Sequence, residues 1–458
     1  MASVTPSPTI LVPYLPPKTL VGIDLIAFTS TPNFHGIRDI PNGWHFLYTG
    51  ATESLSLRSG GWFYVGDISA PGGTNDGAII PAPRGNLTSE VVVWKWNTDT
   101  ETLVPLRASD DVDKQEAMRH KANLAAIWQR GGLLRYRSRA PSSGGRSQSR
   151  EVDDEENEEE GRRDWEGLTD RLSPGLLRHI VGDPDIDVDA RPRWMVTSAS
   201  TAQRDSENIP GIPEPGQDSG RLVDVIGEQE SEFSFLPVDL KKTWREGAIG
   251  RERTEAAQDR SWALGDLIQQ ASVADGERGG IDEQLGETHI LGELQFTFLM
   301  VLTLMNYSCL QQWKRLLNLI LTCQRAIKER EQFMSNVLRL LLLQLQRSDD
   351  IEGGFFDLDG EEGGEFLRKL LMKFRTSLYE VIEDAGALVT EDFKKLESWV
   401  KDEYDWELNR GAFVRRGILQ LEDGEQVEMD MGDDGNDEMG EYAPVVVDLG
   451  EGNTMQDV

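Results

Sequence analysis

The hydrophobic pattern of this chain changes period once, and that change constrains its fold more than any other feature. From Ile10 to about Leu106, short runs rich in Val, Ile and aromatic residues alternate with turn sequences, a pattern typical of β-strands. From about Arg253, apolar residues recur every three or four positions, which indicates α-helices. A chain of 458 residues divided in this way is expected to be an α+β protein with more than one domain.

The β-patterned part predicts a sandwich or a small barrel. We expect strands at Gly22–Thr29, Trp44–Thr49, Gly61–Val65 and Val91–Trp96. The second of these is apolar on both faces, and such a strand must be covered on both sides.

Two helices are expected to follow the strands. One should begin after Asp110 or Asp111 and end near Gly131, and a shorter one should begin at the Ser173 N-cap and end near Gly182.

The helical part predicts a bundle. We expect about six helices, at Glu255–Gln270, Leu285–Asn306, Leu310–Lys328, Gln332–Gln346, Glu365–Ile382 and Glu391–Leu408. The second is apolar on all sides, which predicts a central position in the bundle. Trp313 and Leu317 lie on the apolar stripe of the third, so we predict that they are core residues. Truncating either to Ala should cost about 2–5 kcal/mol.

Charge is distributed in blocks. The net charge is −33, which disfavours non-specific binding of nucleic acid but suits a protein partner with a basic face. Residues 117–150 contain eight Lys and Arg and no acid, and the next ten contain eight acids. We predict that the charged insertion 137–163 and the Ser-, Pro- and Gly-rich linker 197–220 are disordered.

The C-terminal tail, residues 417–458, contains thirteen acids and no Lys or Arg, and it is also predicted to be disordered. One short segment inside it, 443–449, is β-branched and apolar, which predicts a strand that adds to the exposed edge of a sheet. The predicted partner-binding residues are Tyr442, Pro444, Val445, Val446, Val447 and Leu449. The alternative is that the segment folds back onto the chain's own N-terminal sheet.

No pattern predicts a catalytic, cofactor or metal site. His289 and Glu293 lie one helical turn apart, but a zinc helix needs two histidines and a third ligand, so a polar pair is the preferred interpretation. Two cysteines and no secretory signal predict a reducing compartment. The longest apolar stretch, Phe296–Met305, is half a bilayer span, so we expect a soluble protein that binds no membrane.

The segment Arg135–Arg150 contains Arg-Ser or Ser-Arg steps at Ser138, Ser147 and Ser149. One interpretation is a phosphorylatable patch of the kind found in splicing proteins. The other, which we prefer, is a solvated loop whose bases offset the acidic run beside it.

Three ordered stretches resemble the cistron-splicing factor family called Aar-two. They are LGELQFTFLMVLTLMNYSCLQQWKRLLNLI at 291–320, GIDLIAFTSTPNFHGIRDIPNGWHFLYT at 22–49 and APVVVDLGEG at 443–452. Weaker similarities are EAMR at 116–119, Trp165-x-x-Leu168-Thr169 and DRSWAL at 259–264.

The resemblance implies a β-rich domain joined to a helical domain similar to the VHS superhelix. The expected organisation is a β-rich domain with its following helices at 1–196, the linker at 197–220, the VHS-like domain at 221–416 and the tail at 417–458, with its strand at 443–449.

The resemblance also implies a non-enzymatic role in assembling the U5 small nuclear ribonucleoprotein, on the way to the tri-snRNP. Family members bind the RNase-H-like and Jab/MPN domains at the C-terminal end of the scaffold protein Prp-eight. They thereby prevent premature engagement of the Brr-two helicase and RNA, in the cytoplasm and nucleus. A VHS-like trafficking adaptor that binds sorting signals or ubiquitin is the alternative, since the helical fold alone does not discriminate between them.

Overall fold

The chain folds into an N-terminal pair of β-sheets followed by a helical region, which confirms the α+β class. The computed structural model describes residues 7–51, 57–66, 90–139, 149–202, 232–274, 282–348, 363–382, 387–409, 415–420 and 426–431.

Two sheets form the N-terminal part. The strands are β1 (Thr9–Leu11), β2 (Leu20–Ile23), β3 (Ile26–Thr29), β4 (Gly36–Arg38), β5 (Gly43–Gly50), β6 (Arg58–Val65), β7 (Val91–Asn97), β8 (Thr102–Pro105), β9 (Leu133–Arg135), β10 (Asp185–Ile186) and β11 (Pro192–Thr197). A five-stranded sheet has the order β8-β7-β1-β4-β9, and a six-stranded sheet has the order β10-β11-β6-β5-β2-β3.

The inner faces of the two sheets share one apolar core, so the predicted sandwich is confirmed. Its buried members come from both sheets and include Ile10, Val92 and Trp94 from the first and Val21, Leu47 and Phe63 from the second. Because successive side chains of a strand point to opposite faces, each strand also has an outer face, and β5 is buried on that side as well.

The predicted strand Gly22–Thr29 is instead the hairpin of β2 and β3. The chain turns at Asp24, whose φ of 54° is left-handed, and Ile23 then pairs with Ile26. Apolar content alone did not reveal this turn, since Asp24 is the only polar residue in the run before Thr29. Asp tolerates the left-handed conformation better than most residues do.

The two helical stretches expected after the strands are confirmed. The first consists of α1 (Asp111–Ala122) and α2 (Leu124–Gln129), and the Asp110 carboxylate caps α1 by accepting from the Val112 amide. The later helix, α4 (Pro174–Val181), has Ser173 as its N-cap.

The prediction of disorder over 137–163 is wrong for residues 149–163, which belong to helix α3 (Ser149–Thr169). Charge composition was misleading because the second half of α3 supplies apolar anchors, the buried Trp165 and Leu168. Trp165 also donates from Nε1 to the Trp44 carbonyl at 2.7 Å. Residues 140–148 lie outside the described residues.

The predicted linker, residues 197–220, also begins too early in the sequence. Thr197 is the last residue of β11, and the Asn306 side chain donates to the carbonyls of Thr197, Ser198 and Ser200. These hydrogen bonds order the start of a segment whose composition is typical of a linker. The rest of the predicted linker, residues 203–220, lies outside the described residues.

The helical region contains α5 (Arg251–Gln258), α6 (Ser261–Ala274), α7 (Glu283–Leu304), α8 (Tyr307–Leu321), α9 (Ala326–Glu329), α10 (Glu331–Gln346), α11 (Gly363–Val381) and α12 (Leu388–Tyr404). Helix α7 is buried on all sides from His289 to Leu304, as its sequence predicted. Trp313 and Leu317 are 2 % and 1 % exposed, which confirms their placement in the core.

The chain divides into two compact units. The first comprises residues 1–236, 266–316 and 335–364, and the second comprises residues 237–265, 317–334 and 365–458. The first unit therefore includes α7 as well as both sheets. The division into domains expected from the sequence stays a prediction.

The predicted disorder of the tail is wrong over one short hairpin. Strands β12 (Arg415–Gln420) and β13 (Gln426–Met431) pair antiparallel. Each contains β-formers or alternating apolar residues. The acid content of the tail masked this signal.

Candidate functional site

The residues predicted to bind a partner, Tyr442, Pro444, Val445, Val446, Val447 and Leu449, lie outside the described residues. The proposed tail strand therefore stays a prediction. The structure does show what the other family-like motifs do, because their polar residues form hydrogen-bonded clusters within the chain.

The first cluster consists of Asp24, His45 and Tyr136 and is called the Asp24 cluster. Asp24 Oδ2 lies 2.7 Å from His45 Nδ1 and accepts from the Tyr136 hydroxyl at 2.7 Å. Asp24 Oδ1 accepts from the Phe46 amide at 2.9 Å. Asp24 lies in the turn between β2 and β3 and His45 on β5, all within the six-stranded sheet, and Tyr136 directly follows β9 of the other sheet. The cluster therefore joins the two sheets of the sandwich.

Both nitrogens of the His45 ring face acceptors. Nδ1 faces the Asp24 carboxylate, and Nε2 lies 2.9 Å from the Pro41 carbonyl oxygen. A carbonyl oxygen cannot donate, so Nε2 must carry the proton in that contact. The geometry therefore describes a buried histidine–carboxylate pair in which both ring nitrogens are engaged within the chain.

Tyr136 completes this cluster as a donor. Burial raises the pKa of the Tyr136 phenol, and the negative charge of Asp24 raises it further. The phenol consequently keeps its proton and donates it to the carboxylate.

Gly22, at the start of the same motif, allows close packing beside the cluster. A Cβ at this position would lie 1.9 Å from the Tyr48 ring. Any other residue would displace that ring, so the Gly-Ile-Asp sequence has a packing reason at Gly22 and an electrostatic one at Asp24.

The second cluster lies on α7 and is called the Glu293 cluster. It consists of Glu293, Gln312 and the backbone of Leu236. Both carboxylate oxygens of Glu293 accept from the Leu236 amide at 3.2 Å, and Gln312 Nε2 donates to Oε1 at 2.7 Å. The same Nε2 donates to the Leu236 carbonyl at 2.9 Å. The cluster thus fixes the segment around Leu236 against α7 and α8.

The Glu293 carboxyl is wholly buried and has only neutral donors. Burial raises its pKa to about 7, although the hydrogen bonds from Gln312 and Leu236 act in the opposite direction. Near neutral pH, this carboxyl is therefore close to half protonated.

Two other residues of the LGELQF motif contact the end of α3. Gln295 Nε2 donates to the Gly167 carbonyl at 2.9 Å, and its Oε1 accepts from the Arg171 amide at 3.0 Å. A Cβ on Gly292 would lie 2.8 Å from the Arg171 carbonyl oxygen, so only glycine allows this approach. The motif is therefore a contact surface within the first unit.

A third set of contacts holds α10 against its neighbours. Trp313 Nε1 donates to Gln344 Oε1 at 2.9 Å, and Gln344 Nε2 donates to the Leu294 carbonyl at 3.0 Å. The tryptophan of the WKRLLNL block is thus both packed and hydrogen-bonded.

The DRSWAL motif forms a comparable cluster within the second unit. Asp259 Oδ1 accepts from the amides of Ser261 and Gln324, and Oδ2 accepts from Arg325 Nε at 2.7 Å. Burial acts to raise the pKa of Asp259, but the hydrogen bonds from Ser261 and Arg325 outweigh it and hold the pKa below its usual range. An ionised Asp259 thus connects α6 to the turn before α9.

The expected polar pair of His289 and Glu293 is replaced by separate contacts. The His289 ring packs edge-to-face on His179, with ring centroids 5.1 Å apart. Burial lowers the pKa of His289 to about 3, and the neighbouring His179 lowers it further, so the ring is neutral. Among the described residues, no three His, Cys, Asp or Glu side chains are grouped as metal ligands.

Sequence reasoning missed Asp24, His45, Gln295 and Asp259 as key residues. For Asp24, His45 and Gln295 the available signal was their position, since each is flanked on both sides by apolar or aromatic residues. Such residues are buried with the motif, and buried polar groups need partners. Asp259 has no such signal, because Arg260 and Ser261 follow it.

Comparison with known proteins identifies one family that matches both the N-terminal and the helical region. The chain matches the AAR2 N-terminal domain over residues 6–182 and the AAR2 C-terminal repeat region over residues 235–409. It is 24 % identical to the protein AAR2 homolog of Homo sapiens over 406 residues, which cover 87 % of this chain and 89 % of the relative. The homologs of Pongo abelii and Mus musculus are 24 % and 23 % identical over the same shares.

The fold and its clusters define an α+β scaffold whose motif residues hold its own segments together. The chain belongs to the AAR2 family, a family of splicing-related proteins. In the part of the chain that is described, no helix is both long and apolar enough to cross a membrane.

Proposed function

We propose that this protein is a non-enzymatic assembly chaperone of the U5 small nuclear ribonucleoprotein. It binds the RNase-H-like and Jab/MPN domains of Prp-eight and delays the binding of the Brr-two helicase and RNA. It acts in the cytoplasm and nucleus, and it contacts neither nucleic acid nor membrane directly.

The observation that carries this proposal is membership of the AAR2 family over both matched regions. Two properties of the molecule are compatible with it. The polar residues of the motifs are engaged in contacts within the chain, so they support a scaffold for binding better than a reaction centre. A net charge of −33 favours a basic partner surface, including one that otherwise binds RNA.

Affinity purification of the full chain from cells that express it naturally, followed by mass spectrometry, tests which proteins it binds. We expect Prp-eight and other U5 proteins to be recovered without Brr-two. Recovery of sorting receptors or ubiquitin conjugates in their place would favour the trafficking adaptor, whose helical domain is of the same kind.

The tail supplies part of the binding surface in this proposal. Its segment 443–449 adds as a strand to an exposed edge of the RNase-H-like or Jab/MPN domain, and alternate side chains enter pockets there. Deleting residues 440–458 should leave the melting temperature unchanged. The same deletion should weaken binding to the Prp-eight C-terminal region by about tenfold or more, roughly 1.4 kcal/mol.

Calorimetric titration of the full and truncated chains measures this difference. Equal affinities would remove the tail from the binding surface. Early unfolding of the truncated chain would instead indicate that the segment pairs with the protein's own sheet.

A further inference from the structure

Ser138 is a buried serine within an arginine-rich segment. Its neighbours in sequence are Arg135, Arg137 and Arg139, and the first two are exposed. Ser138 itself is only 4 % exposed. It therefore differs from the solvated loop that composition predicted for this segment.

Helix α3 covers Ser138. The Ser138 amide donates to Glu158 Oε2 at 2.8 Å, and its hydroxyl lies 3.0 Å from the same oxygen and donates to the Glu158 carbonyl. Beside it, Arg139 donates to Glu160 at 2.8 Å. These contacts attach the acidic half of α3 to the arginine-rich segment.

The packing at Ser138 leaves no space for a larger group. A Cβ built on Gly161 of α3 would lie 2.8 Å from the Ser138 hydroxyl oxygen. Since a single carbon does not fit there, a phosphoryl group with three further oxygens cannot be accommodated unless α3 moves away.

The two halves of α3 are held very differently. Residues 149–160 contain one apolar residue, Val152, and eight acids in the last ten positions. Like charges four positions apart on a helix, such as Glu156 and Glu160, repel one another. The second half contains the buried Trp165 and Leu168. Opening of the first half alone should therefore cost little free energy compared with global unfolding.

We propose that Ser138 is a phosphorylation site that controls whether the acidic half of α3 is docked. When residues 149–160 open, an arginine-directed serine kinase transfers the γ-phosphoryl group of ATP to the Ser138 hydroxyl. The bond from Ser138 Oγ to phosphorus forms, the bond from phosphorus to the ADP oxygen breaks, and the hydroxyl proton passes to the base of the kinase. This site does not depend on the function proposed above.

The product cannot return to the docked state, for two reasons. The phosphate carries a charge of about −1.5 to −2 and would lie against the Glu158 carboxylate. It also exceeds the space beside Gly161, while the exposed Arg137 offers it a partner in the open state. Phosphorylation thus releases a helix half rich in acids.

The test uses the full chain, ATP and the catalytic subunit of cyclic-AMP-dependent protein kinase, which selects an arginine three residues before the serine. Ser138 has Arg135 at that distance, Ser142 has Arg139 and Ser149 has Arg146, and Ser142 is used as the internal comparison. Mass spectrometry identifies the modified serines. Hydrogen exchange should then be at least about tenfold faster across residues 149–160 and unchanged across 174–181.

Two variants test whether docked α3 limits the access of the kinase to Ser138. Glu158→Gln weakens the contact with Ser138 without changing its size, so Ser138 should be phosphorylated several-fold faster relative to Ser142. Glu156→Gln, at an exposed position of the same helix, should leave the ratio unchanged. The proposal is overturned if Ser138 stays unmodified, whether or not Ser142 reacts. It is also overturned if the phosphorylated chain keeps the exchange rates of the unmodified one.

Discussion

Asp24 and Glu293 are both carboxylates buried inside family motifs, yet the groups around them differ. Asp24 has the His45 ring at 2.7 Å, a phenol donor and a backbone amide. Among the described residues, Glu293 accepts from an amide side chain and a backbone amide. These neutral donors do not fully offset the desolvation of Glu293, and its pKa rises to about 7. The same residue type therefore joins two sheets at one site and is sensitive to pH at the other.

The comparison is tested most directly by replacing each acid with its amide. Asp24→Asn keeps the shape but removes the carboxylate that faces both the His45 ring and the Tyr136 hydroxyl. Removing one partner of a buried pair typically costs about 3–5 kcal/mol, and we expect a loss of that size in urea denaturation. The matched control is Asp183→Asn, at an exposed position, where the change should stay within about 0.5 kcal/mol. A loss of less than about 1 kcal/mol at Asp24 would mean that the cluster does not stabilise the contact between the two sheets.

Removing the Glu293 side chain should lower the free energy of unfolding by less than the change at Asp24 does. Glu293→Ala leaves the Leu236 amide and Gln312 without their acceptor and creates a cavity, which together should cost about 2–3 kcal/mol. Hydrogen exchange of the Leu236 amide should be faster in the variant, because this amide has lost its acceptor. If this amide stays as protected as in the parent chain, the cluster does not hold the segment.

Tyr136→Phe isolates the phenol contribution to the Asp24 cluster. The ring and its packing remain, and one hydrogen bond to a charged acceptor is lost, so we expect a cost of about 1.5–2 kcal/mol. The double mutant with Asp24→Asn should lose less than the sum of the two single changes, because the bond can be lost only once. Additive losses would show that Tyr136 acts through packing alone.

The sequence predicted those parts of the fold that depend on repeated local patterns. Three of the four expected strands, the all-round burial of α7 and the core position of Trp313 follow from apolar patterns and were found as expected. The turn at Asp24 and the helix at 149–163 were missed, since each depends on a contact with a residue far away in sequence, His45 in one case and Ser138 in the other.

The clusters themselves were only partly predictable, for the same reason. A motif such as LGELQF shows that Glu293 and Gln295 are buried with their apolar neighbours, but it does not show which partners they meet. The pairing of His289 with Glu293 was expected from spacing along one helix. Instead, Glu293 contacts Leu236 and Gln312, and His289 packs on His179, because partners from other elements approach α7 on different sides.

Glu293→Gln should have the smallest effect at pH 4.5, and its pH dependence is the most informative. The folded carboxyl, with a pKa of about 7, binds a proton that the unfolded one, near 4.5, releases as the pH rises between these values. The unfolded state then binds fewer protons than the folded state, so this group lowers stability as the pH rises, by up to about 1.4 kcal/mol per pH unit. The neutral amide lacks this contribution.

His289 has the opposite dependence, losing stability as the pH falls below its usual pKa, but it is present in both chains and cancels in their difference. We therefore expect parent and variant to be nearly equal at pH 4.5 and the variant to gain steadily up to pH 7, measured as the difference in unfolding free energy. A difference that stays constant across this range would show that Glu293 is ionised throughout and that this site is not sensitive to pH.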